Sequence, residues 1–335
     1  MSPLLLALDF GGTKHAAALV QLDAIQAGTR PSATRPSATA QWQAYQRALS
    51  PSNANAEVDL AIMRSLIQSL LNGAQPDAIG VSFGGPVDFT TGTVRLSHHV
   101  PGWENLPLKQ LLETEWGVPV SVDNDANVAA LGEHRFGAGR ETNSLMYITV
   151  STGVGGGWIL NNQPWRGAAG MAGEIGHTVV DPQGPLCLCG KRGCVERLAS
   201  GPYMVQQLRD RLQQEPDRGE ILRSLVLDQT ALTAQHISQA AAQGDALAQE
   251  VLQQAAEALG TGIGNAANLI NPQCFILGGG VTKAGEQWWQ GVRQSARQTA
   301  LPEVNFAILP AELGEDAPLW GAIALAQPLI SPSAQ

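Results

Sequence analysis

The sequence predicts an α/β protein of two domains, and three observations carry that prediction. The chain has 335 residues, enough for two units that each bury a core. It twice sets out a strand, a glycine turn and a second strand: Leu4 to Phe10, Gly11-Gly12-Thr13-Lys14 and His15 to Leu22, then Ser144 to Ser151, Thr152 to Gly157 and a further strand. Stretches with helical apolar spacing are interleaved with the strands, the pattern of layered α/β domains.

Taken in order, the β-hairpin start leads, after a break, to a third strand from Thr39 to Ala48. The break holds a tandem pentapeptide, Thr-Arg-Pro-Ser-Ala at 29–33 and again at 34–38. It is too short for a folding repeat, reads as a solvated loop insertion, and carries no assigned function. Glu57 to Asn72 places Met63, Leu66, Ile67, Leu70 and Leu71 on one buried helix face, which Gly73 ends. A strand from Ala78 to Phe83, the Gly84-Gly85-Pro86 turn, a short hairpin around Thr91-Gly92 and a helix near Pro107 to Trp116 follow. Val118 to Val122 is expected as a strand that delivers Asp123-Asn124-Asp125 at its carboxyl end, where open α/β sheets bind ligands. A long helix from Asp245 to Leu269 precedes a strand, Cys274 to Leu277, that runs into Gly278-Gly279-Gly280 and another helix. The two halves suggest a duplicated phosphate-clasping architecture with the active site in a cleft between domains.

Hydrophobic residues make up 44% and charged residues 15%, which suits a packed globular protein. A formal charge of −9 argues against nucleic acid as a partner, since phosphate binding needs a basic face. Met1 to Phe10 is apolar but has no basic n-region and ends in glycines, so it reads as a buried strand rather than a signal peptide. No apolar run reaches the ~18 residues of a membrane span. The expected location is the cytoplasm, where clustered thiols bind metal more often than they pair. Cys274, alone in an apolar strand, is read as a core residue.

The turns at Gly11-Gly12-Thr13 and Gly153-Val154-Gly155 let backbone N–H groups approach phosphate, with hydroxyls from Thr13 and Thr152 beside them. Neither is a P-loop. Asp9, at a strand end, could hold Mg²⁺ or simply form the turn; Lys14 could meet a phosphate or be solvated. Asp123-Asn124-Asp125 could cap a helix, or supply one carboxylate that accepts the proton of an attacking hydroxyl. His177, Cys187, Cys189 and Cys194 fall within eighteen residues, a ligand set for tetrahedral zinc; closed by four protein ligands, the metal is structural. Glu174 and Glu196 bracket that cluster, and paired carboxylates suit vicinal sugar hydroxyls.

Together these residues resemble the ROK family of repressors, open reading frames and kinases, within the actin-like sugar kinase superfamily. Asp9-Phe10-Gly11-Gly12-Thr13-Lys14 is similar to its first phosphate motif, Thr152-Gly153-Val154-Gly155-Gly156-Gly157 to its second, and Gly278-Gly279-Gly280 to its adenosine motif. Glu174-Ile175-Gly176-His177 with Cys187-x-Cys189-Gly190-x-x-Gly193-Cys194-x-Glu196 is similar to its signature. The resemblance implies a two-domain actin-like (ribonuclease H-like) fold, with a smaller domain at 1–122 joined by a helix at about 316–335, and a larger one at 123–315. It implies phosphorylation of a hexose by ATP with Mg²⁺, most directly glucose to glucose 6-phosphate, with N-acetylmannosamine or N-acetylglucosamine as alternative acceptors. Asp125 would be the general base. Asn124, Glu174, His177, Glu196 and Gly85 would contact the sugar, and Asp9, Gly11, Gly12, Thr13, Lys14, Thr152, Gly153, Gly155, Gly279 and Gly280 the nucleotide. His177 would serve both zinc and sugar, the metal fixing its tautomer. His99 falls where many relatives place a sugar-contacting Asn, and Ser151 stands where a Gly is more usual. A dimer or tetramer is implied too. Family repressors carry an N-terminal helix-turn-helix domain; here the first phosphate motif begins at residue 9, which disfavours a sugar-sensing regulator.

Overall fold

The computed structural model describes residues 2–23, 42–97 and 100–330; the pentapeptide repeat and His99 lie outside the described residues. In chain order it forms β1 (Leu4–Phe10), β2 (Lys14–Gln21), β3 (Ala44–Leu49), α1 (Ala56–Leu71), β4 (Ala78–Phe83), β5 (Val87–Asp88), β6 (Thr93–Val94), α2 (Leu108–Trp116), β7 (Val120–Asn124) and α3 (Asp125–Phe136). There follow β8 (Leu145–Val150), β9 (Val154–Leu160), β10 (Gln163–Trp165), α4 (Val195–Ala199), α5 (Gly201–Gln214), α6 (Glu220–Leu225), α7 (Ala234–Ala242) and α8 (Ala246–Ile270). The last elements are β11 (Cys274–Gly278), α9 (Glu286–Thr299), β12 (Ala307–Pro310) and α10 (Ala317–Ile330). No helix among the described residues is long and apolar enough to cross a membrane.

Two five-stranded sheets carry the expected duplication. One has the order β3-β2-β1-β4-β7, the other β10-β9-β8-β11-β12. In each, the strand before the glycine turn stands at the centre. β1 runs antiparallel to β2 and parallel to β4, as β8 and β12 run parallel to β11. A central parallel strand is covered on both faces, so β1 reads as one apolar run with Leu5 to Leu8 wholly buried.

The chain divides into two compact units, Met1–Asn143 with Gly157–Ala172 and Ala311–Gln335, and Ser144–Gly156 with Gly173–Pro310. This differs from the division expected at 122/123 and 315/316. The first unit keeps α3 because α10 packs along α3 as well as against β1 and β4. Other limits move as well. β7 runs on through Asn124 instead of stopping at Val122, since Ser82 and Phe83 of β4 pair with Asp123 and Asn124. β3 begins at Ala44, where pairing with Leu19 starts. Helices α4 to α7, between the cysteine cluster and α8, were not anticipated from the sequence.

α1 has the predicted face, with Met63, Leu66, Ile67, Leu70 and Leu71 buried. Its limits are set by the Asn55 side chain, which accepts the Val58 N–H, and by Asn72, which adopts the left-handed conformation at φ 43°. α10 reaches the core by close backbone approach. A Cβ on its Gly321 would stand 1.7 Å from the Val128 carbonyl oxygen of α3. Gly321→Ala is therefore expected to destabilise the protein by about 2 kcal/mol or more through forced separation of α10 and α3, read as a lower urea midpoint at unchanged m value. Entry into α10 is held by Glu133, a fully buried carboxylate that accepts the Ala138, Glu312 and Leu313 N–H groups at 2.9, 3.2 and 2.9 Å. Burial pushes its pKa up against the pull of those donors.

Candidate functional site

The predicted site residues form two groups, one in each compact unit. In the first unit, the half-buried Asp9 is the penultimate residue of β1, and its Oδ1 accepts the Ser82 hydroxyl at 2.7 Å. Burial raises its pKa, opposed by that hydrogen bond and by Lys14 and His15. The turn after it is closed by the Gly11 N–H on the Lys14 carbonyl at 3.1 Å, and Gly12 and Thr13 are exposed at its tip. The Lys14 ammonium lies 2.7 Å from the Glu315 carboxylate, an exposed pair of little stabilising value. Behind the turn, His15 and Asp59 form a buried contact at 2.8 Å, and the Ser50 hydroxyl donates to Asp59 at 2.6 Å.

Asp123, Asn124 and Asp125 stand where β7 gives way to α3, and each has a different task. Asn124 is the cap: its Oδ1 accepts the Ala126 and Asn127 N–H groups at 3.0 and 3.4 Å, and its amide donates to the Gly85 carbonyl at 3.1 Å. Asp125 opens the helix half-buried, with Oδ1 accepting the Ala126 N–H at 2.8 Å and the Asn124 amide at 3.0 Å. A Cβ built on Gly84 would lie 3.7 Å from the Gly12 nitrogen and 3.8 Å from Asp125 Oδ2. The first glycine turn and the Asp125 carboxylate thus face one small space across Gly84.

Asp123 points inward, and here the structure adds a residue that the sequence reading missed. Arg166 donates to Asp123 Oδ2 from Nε at 2.7 Å, while Asp123 Oδ1 accepts from the Asn124 N–H at 2.8 Å and the Asn127 amide at 3.3 Å. The Arg166 guanidinium also lies 3.4 Å from the Phe89 ring centroid, a cation–π contact. Burial pushes the Asp123 pKa up in spite of Arg166. A second acid two residues before Asp125, in a strand with no basic residue of its own, was the available signal. A buried carboxylate needs a cation, but no local spacing points to Arg166.

In the second unit, His177, Cys187, Cys189 and Cys194 place one ligand atom each within 4.8 Å of the others. The Cys187 N–H donates to the Lys191 carbonyl at 2.8 Å and the Gly190 N–H to the Cys187 carbonyl at 3.0 Å, folding the loop so that its thiols converge. Cys189 and Cys194 sulphurs lie 3.5 Å apart, close to the ~3.8 Å separation of two tetrahedral zinc thiolates with bonds of about 2.3 Å. His177 Nδ1 is buried with no hydrogen-bond partner, as suits a nitrogen reserved for a metal. Burial and the neighbouring thiols push Cys194 up to about 12, while the Lys191 backbone N–H holds the Cys189 thiol below its ordinary value. Three thiols at this spacing shed their protons together only against a cation, so the residues fit a zinc ion.

Glu174, exposed, directly precedes the short helical turn Ile175–His177. Glu196, half-buried in the first turn of α4, accepts the Val154 N–H on Oε2 at 3.0 Å, which ties the cysteine segment to the second glycine turn. The Gly278-Gly279-Gly280 turn comes to the same place: Gly279, at φ 88°, leaves 2.4 Å between a Cβ position and the Val150 carbonyl oxygen at the end of β8. One unit therefore gathers Thr152, Gly153, Gly155, Gly279, Gly280, Glu196 and the cysteine cluster.

A ROK family profile matches residues 5–328. The chain is 34% identical over 331 residues to a glucokinase of Streptomyces coelicolor, covering 97% of this chain and 98% of that protein. A crystal structure of a ROK family glucokinase from Streptomyces griseus, in complex with glucose and AMPPNP, matches with a TM-score of 0.79 at 34% identity over 97% of this chain and 99% of that chain. A xylose repressor of Caldicellulosiruptor bescii is 32% identical over 249 residues, 74% of this chain and 61% of the repressor.

Proposed function

Since this chain belongs to the ROK family and has its two-domain actin-like sugar kinase fold, we propose that it transfers the γ-phosphoryl group of ATP to a hexose, with glucose as the acceptor. The observation that carries this reading is the Asp125 carboxylate facing the first glycine turn across Gly84. A turn that presents N–H groups to phosphate and a carboxylate that takes a proton from a hydroxyl are the two parts phosphoryl transfer most needs from a protein. The glucokinase relatives, similar along nearly the whole chain, support the choice of sugar.

Asp125 accepts the proton of the attacking hydroxyl as the oxygen–phosphorus bond forms and ADP departs. Asn124, by capping α3, holds that carboxylate in register with the Gly85 carbonyl. Arg166 anchors the base of the same segment through Asp123. Asp9 would hold Mg²⁺, which supplies charge neutralisation on the phosphates. His177, Cys187, Cys189 and Cys194 would hold zinc, which fixes the loop and the direction of the His177 ring. Glu174, His177 and Glu196 would then grip the sugar hydroxyls.

The test is ADP release from ATP and Mg²⁺ with glucose, mannose, fructose, allose, N-acetylglucosamine and N-acetylmannosamine, each taken to kcat/KM. We expect glucose to lead, at about 10⁴ M⁻¹s⁻¹ or better. A lead by an N-acetylhexosamine would reassign the acceptor. The similarity to the xylose repressor raises a second reading, a sugar sensor; sugar binding with no turnover of any acceptor would favour it and overturn the kinase.

A further inference from the structure

Among the described residues, the second glycine turn is held by three main-chain contacts and one to a side chain, and the last can let go without breaking the backbone framework. The Ser151 N–H donates to the Gly153 carbonyl and the Ser151 carbonyl accepts the Gly201 N–H, both at 2.9 Å. The Val154 carbonyl lies so near Gly176 that a Cβ there would stand 2.0 Å from its oxygen. These are main-chain contacts. The side-chain contact is at the Val154 N–H, whose acceptor is the Glu196 carboxylate at 3.0 Å. That carboxylate lies along the turn itself, since a Cβ on Gly153 would meet its Oε2 at 2.7 Å. A carboxylate placed there occupies an N–H of a turn read as phosphate-binding and sets a negative charge beside it. Phosphate and Glu196 therefore compete for this turn.

The backbone that carries Glu196 is fixed. Cys194 precedes α4 as its cap residue, and the Val195 N–H donates to the Thr178 carbonyl at 3.0 Å. Release of the turn is thus a side-chain rotation of Glu196, and a ligand that offers hydroxyls to its carboxylate can drive it.

We propose that Glu196 is a sugar-released latch on the second glycine turn. Without sugar its carboxylate holds the Val154 N–H and disfavours phosphate. A sugar that draws the carboxylate to its hydroxyls frees the turn, so that sugar and nucleotide bind with positive coupling. Glu196 on this account touches the sugar and governs the turn, and both the sugar and the nucleotide parts of the proposal rest on the kinase reading above. By linkage the nucleotide tightens the sugar by the same factor.

Two measurements on the zinc-loaded 335-residue chain test it: amide hydrogen exchange at Val154, and binding of AMPPNP with and without saturating glucose. In the native chain glucose alone is expected to speed Val154 exchange about tenfold, as release of one hydrogen bond worth about 1.4 kcal/mol would. It is also expected to tighten AMPPNP about fivefold or more. In Glu196→Ala, Val154 should exchange fast from the outset. AMPPNP should bind without glucose as it binds the native chain with glucose, and glucose should add less than about twofold. Gly153→Ala, which crowds the carboxylate off the turn while leaving Glu196 in place, should also speed Val154 exchange.

Unchanged exchange in Glu196→Ala would overturn the latch, as would full coupling in that variant, or no coupling in a native chain that binds both ligands. A native chain that binds neither glucose nor AMPPNP would instead overturn the kinase reading. The Val154–Glu196 bond is still decided in that case by exchange, which needs no ligand.

Discussion

Asp125→Asn is expected to lower kcat by about a thousandfold while sugar affinity changes little, because general-base catalysis contributes on the order of 10²–10⁴ and this substitution removes only proton acceptance. The change is nearly isosteric. Asp125 Oδ1 accepts the Ala126 N–H and the Asn124 amide, and an Asn carbonyl can keep both bonds. The cap of α3 belongs to the Asn124 side chain and is untouched. Loss of turnover without loss of fold is therefore the specific signature, read as kcat and KM beside a thermal melt. Near-normal turnover would show that Asp125 is not the base. A matching loss in Arg166→Ala would have a different origin: with its partner gone, the buried Asp123 carboxylate is left uncompensated, and the melting temperature should fall along with activity.

Cys189→Ala is expected to abolish zinc binding and raise KM for the sugar about 10–100-fold, the usual cost of losing the support of a site ligand. Cys189 is exposed, so its truncation leaves no cavity, and any effect comes through the metal. With only Cys187, Cys194 and His177 left, the tetrahedral set is open. The His177 ring, whose Nδ1 has no protein partner, loses what orients it. Metal content by atomic absorption and KM for glucose are the two readouts. A variant that loses zinc and keeps its KM would separate the metal from the sugar site.

The parts that could be read directly were those set by short-range rules. β1 has its predicted limits because a central parallel strand must be apolar on both faces, and α1 follows from helical spacing over sixteen residues. The cysteine cluster was legible from spacing because its four ligands lie close together in the chain and the ion they fit demands one geometry. The candidate stretches, from Asp9 to Lys14, Asp123 to Asp125 and Thr152 to Gly157, could be singled out for the same reason: each is a strand end followed by a turn or helix start.

Contacts between distant stretches decided the rest. Arg166 meets Asp123 across 43 residues, Glu196 meets Val154 across 42, and Glu133 meets Leu313 across 180. The sequence alone determined the α/β class, the glycine turns, the carboxylate at the head of α3 and the cysteine set, since local propensity, apolar period and ligand spacing act within a few residues. Only the tertiary structure decided which of three adjacent polar residues is buried, which caps and which faces the turn, and that Glu196 reaches Val154. Ion pairs and hydrogen bonds are chosen by proximity in space, and proximity between remote segments is a property of the packed core.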